Sequence, residues 1–471
     1  MDDLELLYTP ATELRERYKR RELSPVEVVE AVLARQERLN PILNAFLATT
    51  PDLAIEAARE AERVYASGEE PGLLAGIPIS IKDNHALKGV RWTAGSLLYA
   101  DRIADKDSLF VERVKRAGGA IIGKTNMPEG GWKGASTNRL GEPTRNPWDL
   151  TKTPGGSSSG AAAAVASGIG PIGQGGDGAG SIRIPAGFCG LFGFKASYGT
   201  IAYPGTATTQ MAHAGPLTRT VRDAALVLAT VAGKDVRDRL SYDAGIDFLA
   251  ATEGGIDGLR VAWSPDLGYA AVDPEVAEIT ARAAARLSEL GASVEEVNPG
   301  LPDPLDILDG HWEPSQASGH EDDFAEIRDK LDPGRAEIIE RGLKMRATEV
   351  IRALQRRDEY HNAMQQFMSG YDLLVTPQLP VTAFPVELDF PPEIAGRPMT
   401  YLGWTAFTYP FNLTGQPSAT VPCGFAANGL PVALQFTGRW RDDATVLRAA
   451  AAYEAAFPWA QHRPTVDGDR G

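Results

Sequence analysis

The sequence predicts one large α/β domain with a mostly buried β-sheet. Short apolar runs bounded by glycine alternate with stretches whose apolar residues recur at helical spacing, which is the pattern of a sheet covered by helices. The 471 residues contain no internal repeat and no linker long enough to separate domains. Of these residues 43% are hydrophobic and 23% are charged, which is typical of an ordinary globular protein.

The spacing of apolar residues predicts the individual elements. Helices are predicted over residues 12–21, 24–39, 52–67, 108–117, 161–166, 222–232, 274–290 and 444–457, and one long helix or two over 336–371. Buried strands are predicted over 76–83, 120–123, 258–263, 373–376 and 430–438. Ser24 and Pro25 form the N-cap and first-turn pair that begins a helix, and Gly68 ends the third helix. Residues 299–335 are rich in Pro and Asp without a clear period, so we expect an irregular excursion over the surface there.

Charge and cysteine content exclude several classes of function. Lys and Arg number 47 against 62 Asp and Glu, and the net charge of −15 leaves no basic surplus for binding nucleic acid. Two cysteines, Cys189 and Cys423, provide neither a disulfide framework nor a cysteine-ligated metal site. The acidic start does not resemble a secretory signal, and no stretch is long and apolar enough for a membrane span. We therefore expect a cytoplasmic protein with no metal or other cofactor and with no nucleic-acid or membrane partner.

Two nucleotide-binding motifs match by letters only. Residues 118–125 read G-x-x-x-x-G-K-T, but a helix is predicted before the glycines and a strand after them, which inverts the order that a phosphate-binding loop needs. Residues 173–178 read G-x-G-x-x-G, yet no acidic residue follows at the distance at which a dinucleotide site has one.

The six histidines are scattered without metal-ligand spacing. His85 and His213 lie nearest the glycine-rich stretch and are alternative general bases.

The segment 151–200 is the most unusual part of the chain, because it is dense in Gly, Ser and Ala. Residues 154–160 have the composition of a flexible linker, but the helix-forming run 161–166 follows and would put serines at a helix N-terminus, where negative charge is favoured. In a second cluster, Ser181 follows residues with little or no side chain, so that several N–H groups can approach one oxygen atom. Such an arrangement serves as an oxyanion hole or as a tight structural turn.

A serine nucleophile needs a base, and Lys82 is the best candidate. Lys82 ends an apolar strand, where the lack of water disfavours the ammonium form and lowers the pKa of the amine. The alternative is a lysine at a strand end that extends its amine into solvent.

The residues Lys82, Ser157 and Ser181, with G-G-S-S at 155–158 and G-S-I-R-I-P at 180–185, closely resemble the amidase signature family. The resemblance covers nearly the whole chain. It implies a mixed β-sheet with helices on both faces and one amidase domain over residues 1–463. Within this domain we expect N-terminal helices over 1–70, a signature core over 71–235 and a C-terminal part with insertions over 236–463. Residues 464–471 would form a loose polar tail.

The resemblance also implies a Ser–cisSer–Lys triad. Ser181 would attack the amide carbonyl, and Ser157, whose preceding peptide bond is cis in the family, would relay the proton to Lys82. The N–H groups that would hold the oxyanion belong to Gly178, Ala179, Gly180 and Ser181. The residues that would support them, with a plain structural role as the alternative, are Ser158, Asp177 and Arg183. Ala179 stands where the family usually has glycine, and its methyl group can narrow the site or restrict φ.

The substrate is less well defined by the sequence. Gly131 aligns with a family position that contacts substrate. An apolar acyl pocket could be lined by Met127, Trp132, Trp404 and Phe407, which are otherwise ordinary core residues. We expect an amidohydrolase that acts on a small to medium, uncharged amide, anilide or carbamate. The alternatives are the glutaminase component of a tRNA-dependent amidotransferase and a non-catalytic binding paralogue.

Overall fold

A mixed β-sheet forms the centre of the single large domain in the computed structural model, which describes residues 3–466. The strands of this sheet are β1 (Phe46–Thr49), β2 (Pro78–Lys82), β3 (Ala120–Thr125), β4 (Ile172–Asp177), β5 (Phe192–Lys195), β6 (His213–Thr218), β7 (Arg260–Trp263), β8 (Ser293–Glu296), β9 (Leu373–Pro377), β12 (Ser418–Phe425) and β13 (Pro431–Gly438). A separate two-stranded ribbon pairs β10 (Glu393–Ile394) with β11 (Arg397–Pro398). The order of the strands across the central sheet is β1-β3-β2-β4-β6-β5-β12-β13-β9-β7-β8.

The described residues contain fifteen α-helices. The helices are α1 (Asp3–Leu7), α2 (Ala11–Lys19), α3 (Pro25–Leu43), α4 (Pro51–Ser67), α5 (Leu109–Arg116), α6 (Ser159–Ala166), α7 (Arg183–Phe188), α8 (Val221–Val231), α9 (Pro274–Ala285), α10 (Leu305–Ala317), α11 (Phe324–Ile327), α12 (Pro333–Lys344), α13 (Ala347–Met368), α14 (Pro410–Leu413) and α15 (Asp443–Ala456). The strands at the centre of the sheet are fully buried, as the prediction of a mostly buried sheet requires.

The helix boundaries near the N-terminus follow the predicted signals. Ser24 caps α3 by accepting a 3.0 Å hydrogen bond from the N–H of Val26, and Pro25 occupies the first turn. Gly68 ends α4 in the left-handed region at φ 81°. The predicted helices in this part of the chain are therefore confirmed, whereas strand β1 between them has no clear pattern in the sequence.

The expectation of an irregular excursion over residues 299–335 is wrong. This region contains α10, α11 and the start of α12. Helix α10 forms in spite of Pro314 because Ile307, Leu308 and His311 are buried on its inner face, where it packs against α12 and α13. Tertiary burial thus outweighs the poor helix propensity of the segment.

The predicted tail 464–471 is described only in part. Val466 is fully buried in the main hydrophobic core, so residues 464–466 are not loose. Residues 467–471 lie outside the described residues, as do residues 1–2 of the predicted domain. The internal boundaries predicted at residues 70, 235 and 463 stay a prediction.

Two parallel neighbouring strands bring the signature residues together. Strand β2 ends at Lys82 and strand β4 ends at Asp177, and the two pair in parallel through Ile79 and Ile172. Because parallel strands have their carboxyl ends at the same edge of the sheet, Lys82 lies beside the turn that follows β4.

No helix among residues 3–466 has the length and apolar character to cross a membrane. No cluster of three or more metal-ligating side chains occurs in the same range.

Candidate active site

The amine of Lys82 is buried among hydroxyl groups. The residue is 1% exposed, and its Nζ lies 2.7 Å from Ser157 Oγ, 3.0 Å from Ser158 Oγ and 3.3 Å from the carbonyl oxygen of Gly176. Burial lowers the pKa of Lys82 from 10.5 to about 7, although the negative charge of Asp177 opposes this shift. A large fraction of the amine is therefore neutral near pH 7.

The three neighbours of Lys82 Nζ suit both protonation states. A charged ammonium group has three N–H donors, and all three neighbours are able to accept them. A neutral amine has two N–H donors and one lone pair. Because the Gly176 carbonyl only accepts, the lone pair can face a hydroxyl hydrogen, and Ser157 Oγ is the nearest hydroxyl. The arrangement can therefore take up or return one proton without leaving a polar group unpaired.

Ser157 and Ser158 lie at the start of α6, next to the loop that carries Ser181. The Gly156–Ser157 peptide bond is cis. The N–H of Ser158 donates to the carbonyl oxygen of Ser181 at 3.2 Å, and Ser158 Oγ accepts from the N–H of Gly176 at 3.2 Å. These bonds fix the start of α6 against both β4 and the turn that follows it.

The turn over residues 178–181 brings Ser181 to the surface of a cavity. Ser181 is 8% exposed and lines the same cavity as Lys82 and Ser157. Gly180 in this turn has φ +133°, and a Cβ atom there would lie 2.5 Å from Thr408 Oγ1. Glycine is therefore required at position 180 by both conformation and space.

The four N–H groups predicted to hold the oxyanion differ in whether they already have a hydrogen-bond partner. The N–H of Gly180 donates to Asp177 Oδ1 at 2.7 Å, so this donor is already used within the protein and the prediction for Gly180 is corrected. Among the described residues, the N–H groups of Gly178, Ala179 and Ser181 have no hydrogen-bond partner. Ala179 does not have a positive φ, so its methyl group causes no backbone strain in place of glycine.

A buried ion pair supports this turn. Arg183 Nε lies 3.0 Å from Asp177 Oδ2, and both side chains are fully buried. Burial alone would raise the pKa of Asp177, but the Arg183 guanidinium and further hydrogen bonds hold it below the ordinary value. Asn412 Nδ2 also donates to Asp177 Oδ1 at 2.8 Å, and Asp177 Oδ2 accepts from the N–H of Ile182 at 3.2 Å. The carboxylate is thus ionised and serves as the hydrogen-bond centre of the turn.

The cavity at this site has a volume of about 210 Å³. Two of the residues predicted to contact substrate, Met127 and Gly131, line it. A Cβ atom at Gly131 would lie 3.0 Å from Ser157 Oγ, so a side chain there would crowd the hydroxyl. Further lining residues that the sequence does not indicate are Asn84, Tyr203, Thr209, Met211, Ala212, His311, Trp312, Ser315 and Gln316. Four of these belong to α10, for which the sequence shows no helical pattern.

Three aromatic residues predicted to line the pocket belong to the core instead. Trp404 is 0% exposed and packs against Phe188 and Phe384, with ring centroids 6.0 and 5.3 Å apart. Phe407 is also buried, and Trp132 packs against Tyr401 at 5.7 Å. None of the three lines the cavity.

The two histidines that the sequence indicates as alternative bases make other contacts. His85 is buried beside Tyr203, with ring centroids 4.9 Å apart, and burial lowers its pKa to about 3. His213 lines the cavity, but its Nδ1 lies 2.8 Å from the carbonyl oxygen of Met211 and burial lowers its pKa well below the ordinary value. Neither imidazole makes a hydrogen bond to Ser157 or Ser181 in the described structure.

The chain is similar to known proteins over nearly its whole length. The profile of the Amidase family matches residues 27–447. The chain is 40% identical to an acylamidase of Rhodococcus erythropolis, with 98% of both chains covered. It is also 36% identical to the A component of the glutamyl-tRNA(Gln) amidotransferase of Moorella thermoacetica, with 98% of this chain and 99% of the relative covered.

The solved structures give the same result. A bacterial aryl acylamidase of the amidase signature enzymes matches with a TM-score of 0.91 at 33% identity, covering 96% of this chain and 97% of the other. The similarity extends over the whole domain rather than over one motif. The protein is therefore a member of the amidase signature family, and a hydrolase that acts on carbon–nitrogen bonds other than peptide bonds.

Proposed function

We propose that this protein is a stand-alone amidohydrolase that cleaves a small, uncharged amide, anilide or carbamate through an acyl-enzyme on Ser181. The observation that carries the proposal is the buried Lys82 amine, 2.7 Å from Ser157 Oγ, in a cavity that Ser181 also lines. A base of lowered pKa beside a chain of hydroxyl groups is what a serine nucleophile needs when no histidine is available.

In the first half of the reaction, Lys82 accepts the proton of Ser157 while Ser157 accepts the proton of Ser181. Ser181 Oγ then forms a bond to the carbonyl carbon, and the carbonyl oxygen becomes an oxyanion. The N–H groups of Gly178, Ala179 and Ser181 stabilise this charge, since they have no partner within the described structure. The relay requires the two serine hydroxyls to form a hydrogen bond when substrate is bound, and such bonds often tighten only in the complex.

In the second half, the carbon–nitrogen bond breaks and the leaving nitrogen takes the proton held on Lys82, passed back through Ser157. The acyl group remains on Ser181 as an ester. Water then attacks this ester, with Lys82 and Ser157 again accepting its proton. The acid is released and Ser181 regains its hydrogen. Each proton taken up by the amine is returned once, so the amine ends each cycle neutral.

The cavity favours a small and uncharged substrate. Its volume of about 210 Å³ is below the range of roughly 300–1,000 Å³ that is usual for ligand pockets. Of the described residues that line it, only Lys82 and Asp177 are of charged types, and Asp177 is already paired with Arg183. A cationic group of a substrate would therefore lose its hydration without gaining an opposite charge. An anionic group would find only the Lys82 amine, which has to be neutral to act as the base.

The glutaminase alternative is suggested by the similarity to the amidotransferase component. The charged residues that line the cavity argue against it. Free glutamine carries an ammonium and a carboxylate group, and both would need partners in the cavity. A non-catalytic role is disfavoured because Lys82, Ser157 and Ser181 are all present and lie around one cavity.

A substrate panel tests the proposal. The isolated chain is assayed with acetamide, 4-nitroacetanilide, a phenyl carbamate and L-glutamine, beside a Ser181→Ala control. We expect the parent to turn over the anilide or another uncharged substrate, and the Ser181→Ala control to show no such turnover. Turnover of glutamine alone would support the amidotransferase role instead, and turnover that persists in the Ser181→Ala variant would remove Ser181 as the nucleophile.

A further inference from the structure

Two buried side chains from the C-terminal part of the chain contact the turn that carries Ser181. Thr408 precedes α14, and Asn412 lies within it. Both are 0% exposed, and neither lines the cavity. Their contacts with the turn span 229 and 235 residues of sequence, so no local pattern in the signature segment indicates them.

Asn412 holds the first peptide unit of the turn. Its Nδ2 donates to the carbonyl oxygen of Asp177 at 3.1 Å and to Asp177 Oδ1 at 2.8 Å. His213 Nδ1 lies near the same carbonyl oxygen at 3.2 Å. In a trans peptide the carbonyl of one residue and the N–H of the next point in opposite directions. Fixing the Asp177 carbonyl on Asn412 therefore directs the N–H of Gly178 away from Asn412.

Thr408 holds a second peptide unit. Its Oγ1 donates to the carbonyl oxygen of Ala179 at 2.6 Å, while the N–H at the other end of this unit, that of Gly180, donates to Asp177 Oδ1 at 2.7 Å. The unit is thus held at both ends. Since the N–H of Ser181 follows directly, its direction depends on the conformation that these two bonds impose on Gly180.

The segment that carries both side chains is itself fixed to the site. Arg183 Nη1 donates to the Thr408 carbonyl oxygen at 2.9 Å, and Arg183 Nη2 donates to Asn412 Oδ1 at 2.6 Å. The same guanidinium is paired with Asp177. Asp177, Arg183, Thr408 and Asn412 therefore form one closed hydrogen-bond network around the turn.

We infer that Thr408 and Asn412 are positioning residues, which orient the N–H groups of the turn toward the oxyanion. The inference rests on the proposed function, because it presumes that these N–H groups stabilise the transition state. Donors that are already oriented need no rearrangement when charge develops, and the loss of one such donor costs about 10²–10³ in rate. A donor that is present but misdirected should reduce the rate by less than a missing donor does, so we expect the rate to fall by about tenfold.

The test compares Thr408→Val and Thr408→Ala, which lack the hydroxyl, with Thr408→Ser, which keeps it. Thr50→Val is the matched control, because Thr50 Oγ1 makes a similar buried bond to the carbonyl oxygen of Ile121 at 2.7 Å, outside the site. The readouts are kcat and KM on the best substrate of the panel, and the rate of Ser181 labelling by a fluorophosphonate. Circular dichroism shows which variants fold.

We expect Thr408→Val and Thr408→Ala to lose about tenfold in kcat and in labelling rate with KM within about twofold. Thr408→Ser should stay within about threefold of the parent, and Thr50→Val should be unchanged. Asn412→Ser should lose at least as much as Thr408→Val if it folds. Equal rates in the parent and both hydroxyl-free variants, an equal loss in Thr408→Ser, or a change in KM alone would overturn the inference.

The labelling assay separates this inference from the proposed function. If the parent is labelled at Ser181 but hydrolyses no amide, the proposed function fails, and the labelling rates of the Thr408 variants still decide the inference. If the parent is neither labelled at Ser181 nor active on any amide, both are overturned. If the parent hydrolyses amides but takes no label, the kcat values of the Thr408 variants decide the inference. If the parent hydrolyses amides and the Thr408 variants match it in both assays, the inference alone fails.

Discussion

Lys82 Nζ lies 2.7 Å from Ser157 Oγ, whereas the lysine of the neighbouring strand, Lys124, lies 2.9 Å from a carboxylate oxygen of Asp83. Both lysines are buried, and burial lowers the pKa of both. For Lys124 the adjacent carboxylate opposes this effect. For Lys82 the nearest polar groups are uncharged, so the amine can lose its proton near pH 7. The pairing partner, rather than burial alone, separates a structural lysine from a candidate base.

Replacement of Lys82 should remove most of the activity. Lys82→Met has no basic group, and Lys82→Arg carries a guanidinium that stays charged. A positioned base contributes roughly 10²–10⁴ in rate, so we expect kcat to fall by at least a hundredfold in both variants. The measurement is kcat on an anilide, with the exposed Lys88→Met variant as control. Near-normal turnover by Lys82→Arg would exclude Lys82 as the base.

Replacement of the three serines of the site by alanine should reduce the activity to different extents, in a defined order. Ser181→Ala should abolish turnover and fluorophosphonate labelling, because it lacks the nucleophilic oxygen. Ser157→Ala should lose roughly 10²–10⁴ in kcat, because the relay to Lys82 is broken. Ser158→Ala serves as the matched comparison, since Ser158 Oγ lies 3.0 Å from the same amine, and it should lose less than Ser157→Ala. A Ser158→Ala variant that is more impaired than Ser157→Ala would reverse the assignment of the relay.

The Asp177–Arg183 pair should matter for stability as well as rate. Asp177→Asn leaves the buried Arg183 guanidinium without its opposite charge, which costs about 3–5 kcal/mol in the free energy of unfolding. Urea unfolding at pH 7 measures this loss. The folded pKa of Asp177 lies below its unfolded value, so its contribution is present above about pH 4 and is lost as the pH falls below that. An Asp177→Asn variant as stable as the parent would contradict this role.

Trp312 should limit the size of the substrate. It lines the cavity, and its ring lies 3.1 Å from the position that a Cβ atom on Gly178 would occupy. We expect Trp312→Ala to improve kcat/KM for anilides with bulkier acyl groups relative to 4-nitroacetanilide, by about tenfold. The gain from contacts with added methylene groups is of this size. The measurement is the ratio of kcat/KM values across acyl sizes, and an unchanged ratio would exclude Trp312 as the limiting wall.

Much of the site is predictable because its chemistry lies in local patterns. The burial of Lys82 follows from the apolar strand in which it lies, and the positions of Ser157 and Ser181 follow from the resemblance to the family. The parallel pairing of β2 and β4 then brings these segments to one edge of the sheet. Gly180 shows the limit of this reasoning, since the commitment of its N–H to Asp177 depends on a turn geometry that residue types do not define.

The cavity wall is not predictable for a different reason. Helix α10 has Pro314 and no strong apolar period, so its helical state depends on burial against α12 and α13. Its residues Trp312 and Gln316 line the cavity only because of that packing. Conversely, Trp404 and Phe407 look like pocket residues from their aromatic character, but the sequence does not show which neighbours enclose them. Contacts between distant segments decide both cases.

The central claim is that a neutral Lys82 amine activates Ser181, and the pH dependence of Ser181 labelling tests it most directly. The rate of fluorophosphonate labelling is measured from pH 5 to pH 10, with the labelled residue located by mass spectrometry. Because only the neutral amine accepts a proton, we predict low rates at acidic pH and a single rise with a midpoint near pH 7, matching the lowered pKa of Lys82. A flat profile, a midpoint near pH 10, or a label on another residue would contradict the account.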